Sequence, residues 1–418
     1  MDLAAVKESG ELILAVNSGS SSLKFGLYRN PQPECDPALV LAGGATGIGH
    51  SNGRLQVNDA FGKSLVDQAY VLSSQGHAMK EILAAIAQHA GQKPNAVSHR
   101  MVHGGPHLRE HQIVTPALLR TLEAATQFAP IHIPAALKLL RETEKLLPGV
   151  PQYACFDTAF HRTMPETSRH YPLPERLYAL GIERFGFHGL SYESLVYRLG
   201  DDLPPRVVCA HLGSGASLVA LRHGRSIDTS MGMTPVGGIP MATRSGDFDP
   251  GILLFLMRTE QLDADQLESL LNRDSGMGAI AGGESDMRLL EQAATEGNVR
   301  AILAMEIFAV AARKFIGAYA AELGGLDLLV FTGGIGQNDA AMRDRICHGL
   351  DFLGITSGDP ARCAKVRVLP AEEELQIARI TCQLHPGMLG VAMNPTAPSG
   401  APARDGGSQV DAGSSGNQ

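Results

Sequence analysis

Two apolar, β-rich runs stand close together near the start of the chain, ILAV at 13–16 and LKFGLY at 23–28, separated by a short turn of Gly and Ser. Their residue types and the turn between them predict a pair of adjacent strands. The pattern returns at 206–224, RVVCAHLGSGASLVALRHG, again an apolar run, a Gly/Ser turn and an apolar run. A third glycine-rich turn, LLVFTGGIGQND at 328–339, follows a fully apolar run and precedes a helical pattern. Strands that alternate with helical segments predict an α/β fold. A chain of 418 residues is too long for one typical core, and the repeated hairpin predicts two related halves.

The first turn opens on Asn17 and closes on Lys24. Gly19 lets the backbone approach a ligand with no Cβ in the way, and Ser20, Ser21, Ser22 and Lys24 add donors suited to phosphoryl oxygens. One such hairpin is ordinary, but one in each half is what a nucleotide clamped between two α/β domains needs. The third turn is either an ordinary strand-to-helix link or a set of backbone amides facing the purine, ribose or phosphates.

Composition narrows the partners. The net charge is −8, aromatic residues make up 5% and Trp is absent, which argues against an oligosaccharide or single-stranded nucleic-acid platform. The chain has no Lys/Arg run long enough for a nucleic-acid or membrane footprint, so neither is an expected partner and any anion must be gripped locally. The cysteines Cys35, Cys155, Cys209, Cys347, Cys363 and Cys382 form no CxxC and read as reduced core thiols. With no signal-peptide, lipidation or membrane-span pattern, a cytoplasmic protein is expected. From Asn394 the Gly/Ser/Pro-rich sequence has almost nothing to bury and is expected to be a disordered tail.

Reactive side chains gather where glycine or proline interrupts the pattern. SHRMVHGG at 98–105 carries Arg100 at a strand end, suited to forking two N–H groups onto a carboxylate or phosphoryl group or to a surface ion pair. In FAPIHIPAALKLL, 128–140, His132 sits at a bend before a helix, either as a cap or as an anion donor. YACFDTAFHRTMP, 153–165, ends an apolar run on Asp157, and strand C-termini are where α/β enzymes present ligand-binding groups. In ERFGFHGLSYESL, 183–195, His188 lies between glycines, with Ser191 expected to cap the following helix and Glu193 in its first turn. A long loop rich in Gly, Met, Pro and Thr then holds Arg244, before Asp249 as an expected N-cap and Pro250 as a first-turn proline.

Taken in order, NSGSSSLKF, HRMVHGG, APIH, FDTAFHRTMP, FGFHG, AHLGSGAS, DTSMGMTP, TRSGD and FTGGIG resemble the acetate kinase family over about residues 11–390. The resemblance implies two duplicated actin-like (ribonuclease H-like) α/β domains flanking a nucleotide cleft. The first would span 1–158, completed by a C-terminal helix at about 381–393, and the second 159–380. It implies a homodimer that transfers the ATP γ-phosphoryl reversibly to acetate, giving acetyl phosphate and ADP with Mg²⁺, or Mn²⁺ in its place. By motif, Asp157, His188 and Arg244 are implied as catalytic, Arg100 and His132 as substrate ligands, and Val102, Ile131, Phe187 and Pro235 as the methyl pocket. Lys24, His211, Leu212, Gly213, Ser214, Gly215, Asp286, Met287, Arg288, Gly333, Gly334, Ile335, Gly336 and Gln337 are implied at the nucleotide, and Asn17 and Glu373 at the metal.

Several motif positions depart from the family's pattern. HGGE is HGGP at Pro106, APLHNP is APIHIP at Ile133, HGTSH is HGLSY, LGNG is LGSG at Ser214, TPLEGL is TPVGGI at Gly237, GIGEN is GIGQN at Gln337 and TNEE is AEEE. These bear on metal preference, nucleotide affinity and domain closure, and the run Glu372, Glu373, Glu374 leaves open which carboxylate faces the metal. A propionate or short-chain carboxylate kinase is the neighbouring alternative, and a non-kinase ATPase on the same scaffold the one of a different class.

Overall fold

The computed structural model describes residues 10–19, 21–30, 36–355 and 365–385. The expectations for Ser20, Cys35, Cys363 and the tail from Asn394 lie outside the described residues. Two sheets carry the chain. The first contains β1 (Glu11–Ser18), β2 (Leu23–Asn30), β3 (Ala38–Thr46), β4 (Arg54–Asp59), β5 (Ser64–Ala69), β6 (Ala96–Met101), β7 (Gln112–Ile113) and β8 (Gln152–Phe156). Its order is β5-β4-β3-β2-β1-β6-β8-β7. The second contains β9 (Arg206–Leu212), β10 (Ala216–Arg222), β11 (Arg225–Thr229), β12 (Leu328–Thr332) and β13 (Val366–Val368), in the order β11-β10-β9-β12-β13.

Without the β4–β5 hairpin and the short β7, the two sheets have one design. β1 pairs antiparallel with β2 and β2 with β3, while β6 runs parallel to β1 and β8 parallel to β6. Likewise β9 pairs antiparallel with β10 and β10 with β11, while β12 runs parallel to β9 and β13 parallel to β12. This is the duplicated actin-like, ribonuclease H-like arrangement, and it comes from the repeated hairpin followed by a crossover to a parallel strand.

Local chemistry sets the helices that cover these sheets. In the helix Gln75–Ala90, Ala78, Met79, Ile82, Ala85 and Ile86 form one buried stripe, the spacing of a helix packed on a core. Ser74 caps its start by accepting from the His77 N–H, and Gly91 ends it in a left-handed turn. On the second sheet, the helix Val299–Leu323 buries Met305, Phe308, Ile316 and Tyr319 along its length in the same core as Val208, Leu218 and Phe331.

Some boundaries differ from expectation. The helix expected to start at Ser191 spans Gly189–Leu199, with His188 at its N-cap position at φ 58° and no side-chain cap. Ser191 is therefore inside the helix. The next expected start is shifted too: the helix spans Gly251–Thr259, Pro250 holds the cap position, and Asp249 still serves the end by accepting from the Gly251 N–H at 2.8 Å. The helix expected at about 381–393 instead spans Glu373–Leu384, and its expected continuation beyond 385 falls outside the described residues. It packs against β1, β2, β6 and β8 of the first sheet with Ile377, Ala378 and Ile380 buried against Ile13, Ala15 and Tyr153. Cys155, Cys209 and Cys347 are buried thiols, and burial pushes the first two up.

Candidate active site

The C-terminal ends of the central strands face one cleft of about 870 Å³. β1 delivers Asn17, β6 delivers Arg100, the residue after β8 is Asp157, and β9 delivers His211. Ending a parallel or hairpin strand at a glycine turn leaves its last side chains and amides unpaired by the sheet, which suits them to a ligand.

One wall is ionic. The Arg100 guanidinium donates to Asp157 Oδ2 from Nε at 2.9 Å and from Nη2 at 2.5 Å, and to Asn17 Oδ1 from Nη1 at 3.0 Å. Asn17 Nδ2 in turn donates to Glu373 Oε2 at 3.0 Å and Glu374 Oε1 at 3.1 Å. Burial opposes charge throughout this network. It pushes the Asp157 carboxyl up against the pull of Arg100, whereas at Glu373 Arg100, His211, Lys24 and the Asn17 bond outweigh it and hold the carboxyl below its ordinary value. Arg100 is itself raised, the pull of Asp157 and Glu373 overcoming its own desolvation.

The facing wall is neutral. His188 Nδ1 lies 2.9 Å from Ser217 Oγ, and His211 Nδ1 lies 2.8 Å from Ser191 Oγ. The two imidazoles stack at 4.2 Å between centroids and 21° between planes. Burial, then His211, Arg100 and Arg244, hold His188 well below the usual histidine range. His132 also lacks a side-chain cap bond, and burial followed by Arg244 and Arg100 lowers it to about 4. His132 thus holds the N-cap position of the helix Ile133–Leu146 through its backbone, the Ala136 N–H donating to its carbonyl at 3.0 Å, while its imidazole makes no cap bond and lines the cleft.

Arg244 completes the site from the long loop. Its Nη1 donates to the Pro235 carbonyl at 3.2 Å, and among the described residues it has no carboxylate partner. Burial and the positive charge of Arg100 both push it down. A methyl added at Gly215 would sit 3.3 Å from His188 Nε2 and 3.6 Å from Arg244 Nη1. The glycine turn, His188 Nε2 and the Arg244 guanidinium therefore bound the same small space, a set of groups suited to an anion.

Val102, Ile131, Phe187 and Pro235 line the same cleft, with Lys24, Gly213, Ser214, Gly333, Gly334 and Gln337. Gly333 starts its helix directly after β12 at φ 77°, where a Cβ would meet the Leu212 carbonyl oxygen at 2.5 Å, so this turn requires glycine. Leu212, Ile335 and Gly336 are not among the cleft-lining residues: Leu212 is in the core, Ile335 packs against it and Gly336 is buried. The segment 286–288 is likewise absent from the cleft wall. Asp286 caps the helix Met287–Thr295 and pairs with Arg288 at 2.6 Å, while Met287 is buried.

Hard oxygen donors for a divalent cation are present in Glu373 and Glu374. Among the described residues no group of three or more His, Cys, Asp and Glu could hold a metal alone. One or two carboxylates, with the other positions left to phosphate and water, suits Mg²⁺. Glu372 is set apart from this pair by its ion pair with Arg198 at 2.9 Å. Asn17 links Arg100 to Glu373 and Glu374, its carbonyl oxygen accepting from Arg100 while its amide donates to both carboxylates.

The profile of the Acetokinase family matches residues 12–379. The chain belongs to the acetokinase family. Relatives of this acetokinase-family chain include an acetate kinase of Geobacillus sp. (strain WCH70), 38% identical over 397 residues, covering 89% of this chain and 98% of that protein. A propionate kinase of Citrobacter koseri is 40% identical over 389 residues, covering 88% and 95%. Among solved structures, Porphyromonas gingivalis acetate kinase matches with a TM-score of 0.78 at 36% identity, covering 90% of this chain and 99% of that one. A Francisella tularensis propionate kinase matches with a TM-score of 0.81 at 32% identity, covering 90% and 100%.

The acetokinase cleft also includes Thr243, Asn272, Arg273, Pro370 and Ala371, which sequence reasoning passed over. Asn272 and Arg273 end an ordinary amphipathic helix, Ala264–Arg273, and nothing in its pattern marks them. They arrive because the Arg244 loop is tied to that helix by Thr243 Oγ1 donating to the Asn272 carbonyl at 2.8 Å.

Proposed function

We infer that this chain is an ATP:acetate phosphotransferase that passes the γ-phosphoryl reversibly to the acetate carboxylate, giving acetyl phosphate and ADP. The observation that carries the reading is Arg244, a partly buried guanidinium with no carboxylate partner among the described residues, converging with His188 and Gly215. Acetate is ionised at neutral pH and needs no base to become a nucleophile. Catalysis then rests on positioning and on donors for the charge that spreads over the equatorial phosphoryl oxygens. Arg244, His188 Nε2 and His132 are placed to supply them. Arg100, clamped by Asp157 and Asn17, presents a fixed positive charge to the carboxylate. Asp157 acts by holding Arg100 and moves no proton.

The acetate methyl would lie among Val102, Ile131, Phe187 and Pro235. One more methylene in such a pocket changes binding by only about 1–3 kcal/mol, so propionate is expected as a second substrate, in keeping with the similarity to both acetate and propionate kinases. Lys24, His211 and the turns around Gly213 to Gly215 and Gly333 to Gln337 are the nucleotide's neighbours in this reading. Mg²⁺, or Mn²⁺ on the same donors, would be held by Glu373 and Glu374 and would neutralise phosphate charge.

The halves 1–158, completed by the helix Glu373–Leu384, and 159–372 are proposed to move as domains about the cleft, and closure would exclude water from the phosphoryl group. A homodimer is proposed on the apolar exposure of one helix. Ile252, Leu254, Phe255 and Met257 of Gly251–Thr259 are each exposed, as an interface in search of a second copy would be. No described helix is long and apolar enough to cross a membrane, and the cytoplasm is the proposed location.

The test is an acyl-phosphate assay trapped with hydroxylamine, using purified protein, Mg-ATP and acetate, propionate or butyrate in parallel. Signal strongest with acetate supports the reading. Signal strongest with a longer acid moves the substrate and keeps the mechanism. ATP hydrolysis without acyl phosphate overturns it.

A further inference from the structure

Behind His188 lies a second layer of hydroxyls that the reaction itself does not call for. Ser217 Oγ is 2.9 Å from His188 Nδ1 and also 2.5 Å from Tyr192 Oη. Ser217 and Tyr192 are fully buried. Ser217 Oγ has no further hydrogen-bond partner among the described residues, and beyond Ser217 the Tyr192 oxygen only accepts, from the His211 backbone N–H, which leaves the phenolic hydrogen still in need of an acceptor. Three groups thus share two bonds, and the direction of the hydrogens follows from counting. If His188 Nδ1–H donated to Ser217 and Ser217 to Tyr192, the phenolic hydrogen would be buried without an acceptor. If Tyr192 and His188 both donated to Ser217, the Ser217 hydrogen would be stranded instead. Only the sequence Tyr192 O–H to Ser217 Oγ, then Ser217 O–H to His188 Nδ1, leaves no buried hydrogen unpaired. A phenol is also the better donor and an aliphatic hydroxyl the better acceptor.

We propose that Tyr192 and Ser217 form a one-way hydroxyl relay that fixes His188 as the Nε2–H tautomer, aiming a neutral donor at the transferring group. Neutral imidazole carries one proton on one of two nitrogens. With Nδ1 accepting from Ser217, the proton is on Nε2, the atom beside Gly215 and Arg244 in the cleft. The opposite tautomer would present a lone pair to an anionic phosphoryl group and repel it.

His188 is held in register from its other side as well. His161 Nε2 lies 3.0 Å from the Phe187 carbonyl oxygen, which can only accept, and its Nδ1 lies 2.9 Å from Ser226 Oγ. The peptide leading into the left-handed His188 is therefore clamped. Tyr192 and Ser217 are positioning residues, since neither lines the cleft. The proposal rests on the phosphoryl-transfer reading for its catalytic consequence and on the buried hydrogen count alone for the tautomer.

The experiment pairs Ser217→Ala with Tyr192→Phe, which removes only the hydroxyl, and with Ser217→Thr, which keeps it. The His188 tautomer is read by ¹⁵N NMR of histidine-labelled full-length protein, assigned by the signal lost in His188→Gln. The expected result is Nε2–H in the parent and in Ser217→Thr, and a mixture of tautomers in Ser217→Ala and Tyr192→Phe. Turnover should fall on the order of tenfold to a hundredfold in those two, with KM for ATP and acetate changed by less than about twofold, and Ser217→Thr should recover most of it. A parent His188 protonated on Nδ1 overturns the proposal. So does Ser217→Ala or Tyr192→Phe with both tautomer and turnover unchanged. If no acid yields acyl phosphate even in the parent, the phosphoryl-transfer reading fails while the NMR result still decides the relay.

Discussion

The turns of the two hairpins, one per sheet, occupy equivalent places and carry opposite chemistry. In the first hairpin Asn17, one residue before the end of β1, pairs across the strands with Lys24. In the second His211, one before the end of β9, pairs with Ser217. Around the first, Arg100, Asp157, Glu373 and Glu374 build a charged network in which each group is held by an opposite charge or a bond to Asn17. Around the second, imidazoles and hydroxyls build a wall with no formal charge. One backbone device thus serves two electrostatic tasks. A carboxylate and a cation need fixed charges that stay paired when the cleft is empty. A transient charge on phosphoryl oxygens is best met by preorganised donors that repel nothing in the ground state.

The largest expected effect tests the space between these walls. Arg244→Ala should lower turnover on the order of a thousandfold or more and leave the melting temperature nearly unchanged, because Arg244 has no ion pair to lose among the described residues. Turnover within tenfold of the parent would show that the convergence with His188 is not where charge develops.

The ionic wall should fail in a different way. Arg100→Ala strands Asp157, whose Oδ1 already has no hydrogen-bond partner among the described residues, and should cost about 3–5 kcal/mol of stability on top of activity. Urea unfolding checks it. The double variant Arg100→Ala/Asp157→Ala should regain part of that stability without regaining turnover, and a double variant no more stable than the single one would mean the pair is not coupled as described.

Glu373→Gln sharpens the comparison further. It should raise the Mg²⁺ concentration needed for half-maximal activity by about 10- to 100-fold. Glu372→Gln, which loses the ion pair with Arg198 and no metal donor, should leave the magnesium titration in place. Equal shifts in the two variants would remove the distinction drawn between these neighbours.

The smallest and broadest effect is the acid sensitivity of buried histidines spread over both halves of the molecule. Burial lowers His99, His103 and His161 each to about 4, against about 6.5 in an unfolded chain. Between those values the unfolded chain binds protons that the folded one refuses, so stability is full above pH 6.5 and declines as the pH falls toward 4. Each histidine contributes up to about 1.4 kcal/mol per pH unit to that slope. Melting curves from pH 7.5 to 4.5 should show it, and His161→Asn, at some cost in resting stability, should flatten it by one histidine's share.

The amino-acid sequence by itself determined the hairpins and the α/β class, because alternation, apolar runs and glycine turns act over a few residues and leave their mark there. It also marked Arg100, Asp157, His188 and Arg244, since each stands where glycine, proline or a strand end interrupts the local pattern. Tertiary structure alone decided what these groups do to one another. Parallel pairing of β6 with β8 brings Arg100 to Asp157 across 57 positions of chain, and the helix Glu373–Leu384 returns to β1 so that Asn17 meets carboxylates 356 and 357 positions away. Ser191 read as a helix cap and is instead the partner of His211. Ser217 carried no mark in the sequence, and only the fold brings its hydroxyl to both His188 and Tyr192. Hydrogen bonds, ion pairs and burial depend on distance in space, and sequence patterns encode that distance only where the chain stays close to itself.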